Sequence, residues 1–177
     1  MAGITDKKIN QSNGENNIIQ DIRYDVANIT DDDLYLFNEG SHYRLYHKLG
    51  AHQMNIGGIE GTYFAVWVPN ARQVSVIGDF NKWKRLCHKL KQKGQSGIWE
   101  GFIPGLIKGA LYKYCIDSNH KRYRVEKADP LAFFSETPPK TASIVTCLDY
   151  DWGDKDWMVD RRRKNKLSSP ISIYEIH

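Results

Sequence analysis

The sequence predicts a mainly β protein: an immunoglobulin-like β-sandwich with a short N-terminal helix, and beyond it a C-terminal linker helix plus one further strand. Two observations carry this. Runs of β-branched and aromatic residues recur between residues 62 and 146, each bounded by Gly, Pro, Asn or Asp. Their spacing is that of short strands whose residues of one parity face a shared core.

Residues 1–20 are rich in Asn, Gln, Gly and Lys and hold too few apolar groups to offset the entropy of ordering, so a disordered tail is expected there. Residues 21–55 read as a short helical and extended segment. Within it Thr30 and Asp33 have capping-box spacing, Leu34, Leu36 and Phe37 follow, and Gly40 closes a short helix. The sandwich is expected over residues 56–150. Its first strand is the run Thr62-Tyr63-Phe64-Ala65-Val66-Trp67-Val68, which ends at the turn signal Pro69-Asn70 before Gln73-Val74-Ser75-Val76-Ile77 resumes. Further strands are expected at residues 98–103, 110–116 and 143–146. Trp67 and Trp99 lie inside apolar runs, which places both in the core. A linker over residues 151–169 carries helix formers between residues 154 and 166, with Trp157, Met158 and Leu167 as its apolar contacts. Residues 170–177 read as an apolar strand with no following element, so the sequence reads as cut short, with an unpaired edge.

Charge and composition exclude several classes of function. The net charge of +4 is spread along the chain apart from Arg161-Arg162-Arg163-Lys164, which reads as a solvated helix face or linker rather than a nucleic-acid stripe. Three widely spaced cysteines form neither a disulfide framework nor a zinc site. No secretory leader and no membrane-spanning run is present in the sequence, so a cytoplasmic protein that engages neither nucleic acid nor membrane is expected. The six histidines lack HxH or HExxH spacing, so no metal and no cofactor is expected. Glu39, Glu60, Glu100, Glu126 and Glu136 sit beside turns or polar neighbours and read as solvated surface carboxylates, with no matched acid and nucleophile among them.

An ordered series of stretches resembles the glycogen (1,4-alpha-glucan) branching enzymes of the alpha-amylase superfamily, glycoside hydrolase family 13. These are residues 46–52 (YHKLGAH), 61–70 (GTYFAVWVPN), 71–83 (ARQVSVIGDFNKW), 96–104 (SGIWEGFIP), 111–114 (LYKY), 127–130 (KADP) and 170–177 (PISIYEIH). WVPNA or GDFNKW alone would indicate only the wider group of isoamylase-like N-terminal carbohydrate-binding modules. LGAH before them and SIYEIH after them narrow the resemblance to branching enzymes. The resemblance implies that a (β/α)8 barrel of about 250 residues follows the sandwich and that residues 170–177 are its first strand. In that chemistry a carboxylate attacks the anomeric carbon and a glucan 6-hydroxyl replaces water as acceptor. The family's catalytic Asp and Glu fall beyond His177, so no residue of this chain is expected to be catalytic and the chain alone is expected to be inactive.

For the sandwich itself the resemblance implies a weak site for α-1,4-glucan or glycogen. Trp83 matches a sugar-stacking Trp, Lys113 matches a polar sugar contact, and Asn81 in the same turn as Trp83 is a third candidate contact. A second stacking ring of the related modules falls near His120, where this sequence reads Asn119-His120-Lys121. Three roles follow as alternatives: a glucan-binding module, a structural module that positions the barrel in cis or trans, or a stand-alone glycogen-binding scaffold like those of kinase regulatory subunits. The PISIYEIH stretch argues against the last.

Overall fold

Thr30 opens the first element, α1 (Asp31–Glu39). Its hydroxyl accepts from the Asp33 N–H, and the Asp33 carboxylate accepts from the Thr30 N–H at 2.8 Å, which is the reciprocal box read from the sequence. Gly40 ends the helix at φ 73°, its N–H directed at the carbonyls of Leu36 and Phe37. The computed structural model describes residues 21–120, 123–164 and 166–177, and the tail expected over residues 1–20 lies outside them.

Nine strands follow among the described residues: β1 (Gly50–Ile56), β2 (Ile59–Trp67), β3 (Ala71–Gly78), β4 (His88–Lys89), β5 (Lys91–Gln92), β6 (Ile98–Pro104), β7 (Leu111–Ser118), β8 (Arg124–Lys127) and β9 (Ser143–Ile144). They form two antiparallel sheets. One has the order β1-β2-β6-β5, and the other has the order β4-β3-β7-β8 with β9 also on β7. Phe64, Val66, Trp99 and Ile103 of the first sheet pack with Val74, Val76, Tyr112 and Tyr114 of the second, forming the sandwich core the sequence predicts. The Pro69-Asn70 turn carries the chain from one sheet to the other, with the Ala71 N–H donating to the Val68 carbonyl at 3.2 Å.

A second apolar cluster lies on the other face of the first sheet. Tyr63, Ala65, Ile98 and Phe102 pack there against Val26, Ile29 and Leu49, with Leu34 and Phe37 of α1 alongside. Arg23 exchanges two backbone hydrogen bonds with Phe102 at 2.7 and 2.9 Å, which fixes this cover to the edge of β6. β2 is therefore buried on both faces through residues 61–66 and reads as a continuous apolar run instead of an alternating one. Burial of each large side chain in the cluster stabilises by roughly 1.5–3 kcal/mol, against about 1 kcal/mol for the Thr30 cap. Packing, more than capping, holds residues 21–49 in place.

The structure differs from the sequence reading at three places. β1 lies in the segment read as helical or extended; its sequence, GAHQMNI, is poor in β-branched residues and becomes a strand through seven paired positions with β2. Trp67, expected in the core, is 52% exposed: its parity puts it with Tyr63 and Ala65 on the outer face of the first sheet, at the end of β2, and its ring meets Phe37 edge-on at 5.8 Å. Residues 170–177 form no strand, and Ile171, Ile173 and Ile176 are all exposed. A strand exists only through its ladder, and among the described residues this segment has no partner strand.

The chain divides into two compact units after Cys147. In the second, α2 (Lys155–Lys164) gives the basic run a local role. Arg161, Arg162, Arg163 and Lys164 occupy the last turn, where cations complement the helix dipole, and Asp160 pairs with Arg163 at 3.1 Å and Lys164 at 3.5 Å.

Candidate functional site

β3 ends at Gly78 in a close approach that no other residue fits. A Cβ there would lie 2.0 Å from the Leu111 carbonyl oxygen and 2.4 Å from the Phe80 ring. A single 3-10 turn, Asp79–Asn81, follows. Asn81 holds it: its side-chain oxygen accepts from the Gly78 N–H at 3.0 Å, and its amide nitrogen donates to the Val76 carbonyl at 3.0 Å and lies 3.0 Å from His88 Nδ1. The candidate sugar contact Asn81 is thus committed to the turn itself.

Lys82 and Trp83 then adopt left-handed backbone at φ 55° and 57°, and Leu86 does so at 71°. Non-glycine residues in this region cost of order 1–3 kcal/mol each and concentrate where surrounding structure over-determines them. Here the Trp83 N–H donates to the Gly78 carbonyl at 2.7 Å, which locks the reversal. Trp83 is left 39% exposed, with its own N–H and that of Lys84 both bonded within the turn.

Lys113 arrives from β7. It stands directly opposite Ile77, one position from the Gly78–Tyr112 pair, so the backbones carrying Trp83 and Lys113 converge at the end of β3. Tyr112 and Tyr114 point into the core, so the parity of β7 puts Lys113 on the outer face of the second sheet. Its ammonium donates to Thr141 Oγ1 at 2.8 Å. Thr141, absent from the residues singled out in the sequence, reaches the site across 28 positions, and no local signal marks it. The same face carries the ion pairs Arg85–Glu126, at 2.9 Å, and Arg124–Asp117. Arg124 holds the Asp117 carboxyl below the usual carboxylate range. Trp83 is thus exposed at the strand end next to β7, and the outer face of that sheet carries fixed donors and acceptors, a combination suited to a ligand with an apolar face and many hydroxyls. His120, where a second ring of the related modules would fall, is exposed in the β7–β8 turn, its N–H on Ser118 Oγ at 3.1 Å.

Two carboxylates depart from the surface roles expected of them or stand apart from the site. Glu100 is not solvated: its side chain is 14% exposed, one oxygen takes the Tyr63 hydroxyl and the other takes Lys93 Nζ at 3.1 Å. Position 100 faces the same way as Ile98 and Phe102, and the alternation of the strand could have placed it there, whereas its partners Tyr63 and Lys93 could not be read from it. Asp129, of the KADP stretch, is buried and accepts from the hydroxyls of Tyr112 at 2.7 Å and Tyr114 at 3.1 Å. Burial pushes its pKa up, opposed by the Leu131 N–H, the two tyrosines and His52.

Comparison with known proteins places these features among relatives. Residues 48–132 match the family model of carbohydrate-binding module 48 (isoamylase N-terminal domain). The chain is 52% identical over 167 residues to the 1,4-alpha-glucan branching enzyme GlgB of Thermosynechococcus vestitus, covering 93% of this chain and 22% of that one. It is 48% identical to the GlgB of Synechocystis sp., covering 93% of this chain and 21% of the relative. The chain thus spans about a fifth of the length of the curated relatives it matches. Among solved structures, a Klebsiella pneumoniae pullulanase complexed with maltotriose aligns at 27% identity and a TM-score of 0.48, over 59% of this chain and 10% of that one.

Proposed function

We propose, from the match of residues 48–132 to the family model of carbohydrate-binding module 48, that the sandwich binds α-1,4-glucan and positions it for a branching reaction. The enzyme it serves is a glycogen branching enzyme, which moves α-1,4-glucan segments into α-1,6 branches. The catalytic partner is a barrel joined to the sandwich in the same polypeptide or supplied as a separate one. Trp83 is the stacking ring, Lys113 with Thr141 is the polar contact, and Asn81 acts by holding the turn. The observation that supports this reading is the strained, hydrogen-bonded turn that leaves Trp83 exposed at the strand end whose neighbouring strand carries Lys113. Association is weak: a single ring and a few hydrogen bonds correspond to a millimolar constant, about 4 kcal/mol. Three unpaired thiols, Cys87, Cys115 and Cys147, support a reducing, cytoplasmic setting as part of the same proposal.

Affinity electrophoresis of the chain in gels with and without glycogen tests it, beside Trp83→Ala and a branching assay on amylose. Retardation abolished by the substitution, with no branching, supports the reading. The absence of an aromatic residue at positions 119–121 favours a second reading, in which the sandwich only positions the barrel. No retardation of the unmodified chain would select that one.

A further inference from the structure

A groove of about 290 Å³ runs between residues 24–27, β5 and β6, on the first sheet and away from the Trp83 turn. Its chemistry comes from an exception in the strand pattern. Along β6, Ile98, Glu100 and Phe102 share one face; Ile98 and Phe102 are fully buried in the apolar cluster, and Glu100 lies between them. A carboxylate placed in an apolar row has to keep its hydrogen bonds, and this one is held by the Tyr63 hydroxyl on one oxygen and Lys93 on the other. Each oxygen retains a further lone pair, and Glu100 lines the groove. Lys91 stands directly opposite it in the β5–β6 register. Tyr24 forms a wall, its hydroxyl fixed on the Lys89 carbonyl at 2.8 Å and its ring about half exposed.

We propose that this groove is a second saccharide site, taking one or two glucosyl units of an α-glucan independently of Trp83. It shares the ligand class of the reading above and none of its residues. The groove offers an acceptor at its centre, ammonium donors on one side and a ring with Val26 on the other, which is the mixture a neutral polyol satisfies. Lys91 and Lys93 repel a metal ion or amine, while Glu100 is paired with Lys93 and leaves the Lys91 charge uncompensated, so phosphate is the competing ligand that the test has to exclude. The volume is at the lower limit of small-ligand sites, about 300 Å³, so it fits a chain end or short stretch and not a long segment. Two such sites on one sandwich let a single chain hold two branches of the polymer, so each weak contact raises the local concentration seen by the other.

The test is a titration of the 15N-labelled full chain with maltoheptaose, following backbone amides in the unmodified protein and in Trp83→Ala, Tyr24→Ala and Lys91→Glu. Amides at residues 91–94 and 100–101 are expected to shift in the unmodified protein and in Trp83→Ala. They fall silent in Tyr24→Ala and Lys91→Glu while the amides at residues 79–84 still respond. Shifts confined to the Trp83 turn overturn the second site and leave the first. Shifts confined to the groove uphold it and overturn the Trp83 reading, and no shift anywhere overturns both. A groove response to inorganic phosphate in place of maltoheptaose also overturns it. Should Tyr24→Ala not fold, Lys91→Glu decides, because Lys91 is exposed and unneeded for packing.

Discussion

Tyr112 donates its hydroxyl hydrogen to Asp129 across 2.7 Å inside the sandwich, and Tyr114, two positions along the same strand, donates to the same carboxylate oxygen. The bond ties the middle of the second sheet to the loop after β8. Asp129 in turn holds that loop through the Leu131 N–H at 2.9 Å.

Asp129→Ala removes one acceptor from two fully buried hydroxyls. Each unsatisfied group costs about 1–3 kcal/mol, so the loss is expected to exceed about 2 kcal/mol. Urea unfolding of the two proteins measures it, and a difference within about 0.5 kcal/mol would show that the hydroxyls find other partners.

Asp33 makes stability depend on acid. Burial alone would raise its pKa, but the Thr30 N–H, His42 and Lys48 outweigh this and hold the folded carboxyl well below the usual range. The unfolded chain takes up that proton near pH 3.9, and the folded one only at lower pH. The stability Asp33 supplies is therefore complete above this region and lost as pH falls through it. Thermal melts are expected to show a gap between the unmodified protein and Asp33→Asn that narrows below about pH 4.

Gly78→Ala tests the foundation of the Trp83 turn. The backbone there is extended, which any residue adopts, so the cost is one of space: the new methyl meets the Leu111 carbonyl at 2.0 Å. A loss of about 1–3 kcal/mol or more is expected, together with weaker glycogen retardation. Stability close to that of the unmodified protein would mean the strand end can shift, and with it the ring.

Thr141→Val separates positioning from folding. Thr141 is exposed, so stability should change by no more than about 0.5 kcal/mol. Lys113 loses its 2.8 Å anchor, and retardation by glycogen is expected to weaken by less than in Trp83→Ala. Unchanged retardation would remove Lys113 from the site.

The sequence made the fold legible wherever local chemistry and tertiary burial agree. Thr30, Asp33 and Gly40 are sufficient for α1, and the aromatic, β-branched runs mark β2, β3, β6 and β7. It failed where burial is decided by partners far along the chain. β1 is a strand only because β2 lies beside it, and among the described residues no strand lies beside residues 170–177. Trp67 and Glu100 illustrate the same limit in opposite senses: a tryptophan in an apolar run is exposed on the outer face at the end of β2, and a glutamate between Trp99 and Gly101 is enclosed by Tyr63 and Lys93. Of the candidate site, Trp83 and Lys113 were visible through resemblance. Thr141 was not, and the commitment of Asn81 to its turn required the positions of Gly78, Val76 and His88.

The double-sided burial of β2 sets the boundary of any portable version of this sandwich. A cassette begun at residue 48, where the family match starts, would present Tyr63, Ala65, Ile98 and Phe102 as a bare apolar wall, a surface through which copies stick to one another. Carrying residues 21–47 along closes that wall and residues 133–145 bring β9 and the core residue Val145, so the smallest piece that can be grafted onto an unrelated protein without aggregating is about half as long again as the family match over residues 48–132.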